Sequence, residues 1–314
     1  MTGWDAARCY HPPKPDVRGK HPTAVVNAVE SRAPAAIPDP EPSSLAAAWR
    51  AHWREYTIEA ALLGAFMVSA CVFCVLLEHP SSPARQALPD PFLRRVLMGL
   101  AMGGTAVAII YSPWGKRSGA HINPATTVTF LRLGKVARAD ALFYALAQGA
   151  GAAAGVLLVS IPLSGLVAHP AVNWAATVPG ERGSAAAFLA EVAIAFVLMT
   201  VVLAFSNAPR WNRYTGLAAG TCVALFIAFE APLSGMSMNP ARSLGSAVSA
   251  MTWGSLWIYF VAPPIGMLLA AEARVRLSHR APILCAKLHH ENDEPCIFRC
   301  AYPVCGPRAA RRSP

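Results

Sequence analysis

Charge is scarce in this chain, and what there is lies unevenly. Asp, Glu, Lys and Arg make up 14% of 314 residues, where average globular chains carry roughly a quarter. Uncharged runs occupy 60–77, 96–115, 141–180, 192–209, 214–229 and 243–271. A helix needs about 20 mainly apolar residues to cross a bilayer, and slightly shorter runs suffice where long flanking side chains snorkel. Six such runs argue against a soluble protein with buried helices. They predict spans near 57–77, 93–112, 139–161, 185–206, 214–231 and 253–273. Other absences narrow the function. The spans hold no Ser/His/Asp constellation, metal triad or phosphate-cradling glycine loop, so no enzyme is expected. Residues 1–50 hold no apolar signal core, so no secretory leader is expected there.

The basic excess, +10 overall, invites a nucleic-acid reading, but its placement speaks against one. Lys116, Arg117, Arg132, Lys135 and Arg138 surround the link after span two. Arg210 and Arg213 follow span four, and Arg274, Arg276 and Arg280 follow span six. Alternate links of a six-span protein share one side, and positive charge marks the cytoplasmic one. Both termini are then cytoplasmic, in the plasma (cell inner) membrane. Arg85, Arg94 and Arg95, between spans one and two, disagree with that orientation. Three units follow: a disordered, Pro-rich cytoplasmic tail at 1–54, a membrane domain at 55–275 with repeats at about 55–163 and 185–275, and a basic Cys/His tail at 276–314.

One phrase is written twice. "SGAHINPATT" at 118–127 returns as "SGMSMNPARS" at 234–243, 116 residues later. Each copy comes two spans after a glutamate, Glu59 or Glu191, set near the start of an apolar helix. Three spans per half is an odd number, so the second half is inverted in the membrane, and inverted repeats place a shared site at the bilayer midplane. Asn favours the N-cap of a helix and Pro its first position. Each phrase therefore reads as a re-entrant half-helix starting at Asn123 or Asn239. The backbone before it must be buried or line a wet cavity. Two helix N-termini aim partial positive charge at one point. If each Asn oxygen caps its own helix, its NH₂ can donate into the lumen. Such a centre repels protons and metal cations and admits neutral hydrogen-bonding solutes.

With both Asn-Pro-Ala motifs, "NPARSLGSAV", "ALAQGAGAAAG", "WIYFVAPPIG" and the two glutamates in place over roughly 55–275, the chain resembles the aquaporins, the major intrinsic protein family. The resemblance implies an all-α membrane protein of six transmembrane helices plus two re-entrant half-helices in an inverted repeat. It implies a homotetramer with a pore in each subunit, passing water or small neutral solutes and needing no cofactor for transport. Asn123 and Asn239 would be the central donors. The carbonyls of Gly119, Ala120 and His121 would line the inner vestibule, and those of Gly235, Met236 and Ser237 the outer one. Glu59 and Glu191 would hold the re-entrant loops; a proton relay in a coupled transporter is the competing role. Gln148 fits either a lumen-side position or a helix–helix hydrogen bond, and the Gly149, Gly151 and Gly155 spacing reads as close helix packing. The outer filter would comprise Arg242, Met236, Ile227 and either Met102 or Gly103. This filter keeps its arginine and loses the histidine and aromatic of water-selective members. Ser243 and the Tyr259–Phe260 pair point the other way, so water, glycerol, urea, ammonia and peroxide all stay open. Glu230 either draws cations to the vestibule or holds its loop.

The tail "CAKLHHENDEPCIFRCAYPVC" sets Cys285, His289, Cys296 and Cys300 at spacings that could close a tetrahedral zinc site, with His290 and Cys305 as further ligand candidates. Nothing there reaches the pore centre by sequence, so such a site would cap or gate the channel.

Overall fold

The structure, a computed structural model, describes residues 44–277 and 282–302, nearly all within one compact unit, Glu41–Cys300. Helix α1 (Leu45–Glu78) begins where the Ser44 hydroxyl accepts from the Ala47 N–H at 3.2 Å, the usual way of satisfying a first-turn donor. The expected tail at 1–54 is thus helical from Leu45 onward. The run Leu-Ala-Ala-Ala favours helix strongly, and it lies inside a boundary drawn from the Pro, Ala and charge content of the segment before it. Then come α2 (Pro83–Ala87), α3 (Pro91–Tyr111), α4 (Pro113–Ser118), α5 (Pro124–Arg132) and α6 (Arg138–Val167). The second half carries α7 (Gly183–Ser206), α8 (Thr215–Phe229), α9 (Ala231–Ser234), α10 (Pro240–Ala250) and α11 (Leu256–Leu277).

Among the described residues, α1, α3, α6, α7 and α11 are long and apolar enough to cross a membrane. The span expected at 214–231 is shorter, a 15-residue α8 of about 22 Å. The chain bends after it, at Glu230, into the single turn of α9. The halves share one plan. Helix α1 packs along α6, and α7 along α11, while α3 and α8 meet across the repeat boundary.

Small residues let these helices touch backbone to backbone. A Cβ on Gly151 would lie 2.0 Å from the Ala60 carbonyl oxygen, and one on Gly155 2.3 Å from that of Gly64. Gly149 is different: its nearest neighbour is a Leu244 methyl at 3.6 Å. The discordant arginines between spans one and two also find a reason. Arg94 is buried, bridges Glu78 at 3.2 Å and donates to the carbonyls of Leu88 and Pro89. Arg85 reaches Glu78 as well, at 3.5 Å. Paired arginines of this kind are a weak counter-signal to orientation.

Candidate functional site

The two re-entrant loops are built alike, residue for residue. Each folds through left-handed backbone at Gly119, Ala120 and Ile122, and again at Gly235, Met236 and Met238. Only the glycines adopt such torsions cheaply, so the other four need outside support. Two buried carboxylates supply it at Ile122 and Met238, and the Ser118 and Ser234 hydroxyls accept from the Ala120 and Met236 N–H groups at 3.2 and 3.0 Å. Glu59 accepts from the Ser118 hydroxyl (2.7 Å), the His121 N–H (3.1 Å), the Ile122 N–H (2.6 Å) and the Gln148 amide (2.7 Å). Glu191 accepts from the Ser234 hydroxyl (2.8 Å), the Ser237 N–H (2.7 Å) and the Met238 N–H (2.7 Å). Both glutamates are engaged as loop anchors. Gln148 sits in a helix–helix and loop bond, not in the cavity wall.

The loops deliver Asn123 and Asn239 to the heads of α5 and α10. The Asn123 side-chain oxygen caps α5 by accepting from the Ala125 N–H at 2.9 Å. That of Asn239 accepts from Ala241 and Arg242 at 3.0 and 3.1 Å. The two amides also cross over. Asn123 donates to the Met238 carbonyl and Asn239 to the Ile122 carbonyl, each at 2.7 Å. The expectation of a free NH₂ is therefore half right. One hydrogen of each amide is spent on the opposite loop, and one is left for the cavity.

A cavity of about 290 Å³ runs past both asparagines. Its lining includes Ala120, His121, Gly235, Met236, Ser237, Met102, Ile227 and Arg242. Arg242 Nη1 is buried with no hydrogen-bond partner among the described residues. Gly103 is not part of the lining. It lies where α3 meets α8, and a Cβ there would come 2.5 Å from the Gly220 carbonyl oxygen. One residue is about 100° of helix rotation, which takes Gly103 from the lumen into the helix contact. Gly119 also differs: its carbonyl accepts from the Leu288 N–H at 3.1 Å. Tyr259 and Phe260 are not pore groups either. Tyr259 is buried and donates to the Ser234 carbonyl, while Phe260 is exposed on the outer face of α11. Ser243 bonds Ser237 and Thr177, both at 2.6 Å. The Glu230 carboxylate is buried beside Ser234, whose hydroxyl bonds Glu191 at 2.8 Å.

Several lining groups escape a sequence reading. Cys74 and Met98 come from helix faces with no motif. Val172 and Leu288 reach the same cavity from irregular chain, and Ala175 from a single 3₁₀ turn, Asn173–Ala175. Leu288 belongs to the C-terminal tail, whose metal candidates are rearranged relative to expectation. Cys285, His290, Cys296 and Cys300 bring one ligand atom each to within 4.8 Å of one another. His289 is not in this group. Its ring meets Tyr111 edge-on at 5.0 Å, because the chain turns at 289–292, where the Asn292 N–H bonds the His290 carbonyl. Burial pushes the Cys285 thiol well above its ordinary pKa. Hydrogen bonding from the Cys285 and Cys296 thiols holds that of Cys300 well down. Cys305 lies outside the described residues.

Comparison with known proteins agrees with this geometry. Residues 47–273 match the family model described as "Major intrinsic protein". Aquaporin NIP3-1 of Zea mays is 38% identical over 196 residues, which are 62% of this chain and 60% of that one. Aquaporin-4 of Mus musculus is 38% identical over 180 residues, 56% of this chain and 54% of its own. Glycerol uptake facilitator protein-like 6 of Lactiplantibacillus plantarum is 34% identical over 182 residues, 55% and 81% of the two chains. The chain thus spans about 60% of the length of the maize relative. In fold it is similar to the aquaglyceroporin of Plasmodium falciparum, with a TM-score of 0.57 at 20% identity over 71% of this chain and 95% of the other. With the paired half-helices, the anchoring glutamates and a family match covering most of its length, this membrane protein belongs to the major intrinsic protein family.

Proposed function

We propose that the chain is a passive channel for water and small neutral solutes that excludes protons and metal cations. The observation that carries this reading is the meeting of Asn123 and Asn239 at one cavity wall, each heading a half-helix and each left with one amide hydrogen to donate. The N-termini of α5 and α10 and the unpaired face of Arg242 concentrate positive charge there. A water or an alcohol can accept from these groups, whereas a cation at this point meets amide hydrogens and positive charge. No covalent chemistry and no cofactor enter.

The solute range follows from the wall. Met102, Met236, Ile227 and Cys74 give it an apolar side, and Arg242 and Arg95 bring guanidinium groups to the same wall. A solute with C–H on one side and hydroxyl on the other is matched by such a wall, so glycerol joins water as the expected cargo. A relative named for glycerol uptake supports this choice. The Tyr259–Phe260 pair no longer weighs against it, since neither ring reaches the cavity. A proton-coupled transporter is less well supported, because Glu59 and Glu191 already accept from loop donors on both oxygens. We place the protein in the plasma membrane as a homotetramer, termini inward, on the family resemblance and the distribution of Lys and Arg.

The test is stopped-flow light scattering on proteoliposomes, under sucrose and then glycerol gradients, with a chelator present. Fast shrinkage followed by glycerol-driven recovery is expected. Permeability no greater than that of empty liposomes to both would overturn the channel reading.

A further inference from the structure

The stretch 282–300 forms no helix or strand, yet Cys285, Ala286, Lys287, Leu288 and Phe298 are buried. Four ligand-bearing side chains converge within it. Cys285 and Cys296 sulfurs are 3.5 Å apart, and Cys300 Sγ is 2.9 Å from His290 Nε2. Zinc–sulfur bonds of about 2.3 Å at a tetrahedral ion set ligand atoms roughly 3.8 Å apart. Three thiolates and an imidazole make a soft donor set that suits zinc and not calcium or magnesium.

Residues between these ligands touch the first re-entrant loop. The arc from Cys285 to His290 places the Ala286 carbonyl 2.9 Å from His121 Nε2 and the Leu288 N–H 3.1 Å from the Gly119 carbonyl. Leu288 also lines the cavity that holds Asn123, Asn239 and Arg242. The arc from Cys296 to Cys300 lays the Phe298 ring parallel to that of His121, centroids 5.1 Å apart at 9°. The Arg299 N–H bonds the Lys135 carbonyl at 3.0 Å. Pinching the four ligands together fixes the bases of both arcs, and the tips of both lie on the first re-entrant loop.

We propose that Cys285, His290, Cys296 and Cys300 bind one zinc ion, and that this ion seats Leu288 and Phe298 over the mouth of the pore, so that the zinc-loaded channel is throttled and zinc removal opens it. The inference rests on the channel reading above, and its test separates the two. Full-length protein purified without chelator carries about one zinc per chain by elemental analysis. Cobalt(II) in its place gives the intense visible d–d bands of a tetrahedral site and a sulfur charge-transfer band in the near ultraviolet. Chelation raises water permeability of wild-type proteoliposomes about tenfold, and zinc restores the low value. The double variant Cys296→Ser/Cys300→Ser binds no cobalt and is permeable from the start. Leu288→Ala keeps the metal and is permeable with it bound, an outcome that does not depend on the serine variant folding. Metal-free protein, or a Cys285–Cys296 disulfide in its place, overturns the site. Equal, high permeability with and without zinc overturns the throttle and leaves the channel standing. Permeability that stays at the empty-liposome level in wild type, chelated wild type and Leu288→Ala removes the channel reading itself.

Discussion

The hydroxyl of Tyr144 donates to the Ser118 carbonyl at 2.7 Å, and that of Tyr259 donates to the Ser234 carbonyl at 2.5 Å. The two tyrosines make one contact twice, from α6 in the first half and from α11 in the second. Each pins the residue whose own hydroxyl bonds the anchoring glutamate. Removing either hydroxyl leaves a buried carbonyl short of a donor, which costs about 1–3 kcal/mol. Tyr144→Phe and Tyr259→Phe are each expected to lower the thermal midpoint in detergent, and the double variant to lose about the sum, since the two sites share no partner. Unchanged melting in both single variants would count against a supporting role.

Glu191 is the stricter test of the loop anchors. Glutamine keeps one oxygen acceptor and turns an NH₂ toward loop N–H groups that need acceptors. Glu191→Gln is expected to lose about 1–3 kcal/mol and most of the permeability. Glu191→Asp, which retains the charge, should recover part of both. Full activity in Glu191→Gln would mean that the Ser237 and Met238 N–H groups are supported by something else.

Arg242 carries a fixed positive charge in the cavity wall beside the two asparagines. Arg242→Ala removes it and widens the lumen, so proton entry should rise. A pH-sensitive dye trapped in proteoliposomes, with chelator present, reads this directly. Proton flux equal to wild type would assign exclusion to the half-helix termini alone.

Cys74 faces the cavity, whereas Cys71 is fully buried beside it. A charged organomercurial added from the outside should therefore reduce permeability by occupying the lumen, and Cys74→Ser should abolish the block. A block that survives in Cys74→Ser would place the reactive thiol elsewhere.

Gly155 and Gly165 form a matched pair on α6. A Cβ at Gly155 would sit 2.3 Å from the Gly64 carbonyl oxygen, while one at Gly165 meets nothing within 4 Å. Overpacking of this kind costs about 1–3 kcal/mol or more, so Gly155→Ala should be clearly destabilised. Gly165→Ala is expected to be neutral or to gain about 0.5–1 kcal/mol from the stiffer unfolded chain. Equal melting of the two would rule out close helix contact at Gly155.

What could be read from the sequence was local. Asn at the cap and Pro at the first turn spell a helix start wherever they occur, and the 116-residue offset carries the same loop from Ser118–Asn123 to Ser234–Asn239. What could not be read depended on rotation or on distant partners. Met102 and Gly103 are neighbours in sequence but point into different surroundings. His289 and His290 were told apart by a turn that no spacing announces. Tyr144 carries no motif, and its partner lies 26 residues away. The partner of each Asn amide lies in the other half of the chain.

That last arrangement has a bearing on biogenesis. Asn123 and Ile122 enter the bilayer well before Met238 and Asn239 have been synthesised. Until then one amide and one carbonyl at mid-depth need other partners, and water in the unfinished lumen is the available one. The second half therefore does more than duplicate the first: by supplying the reciprocal donor and acceptor it lets that temporary water leave. A first half expressed alone would keep a hydrated wound at its centre, attractive to chaperones and quality control until the missing half is supplied.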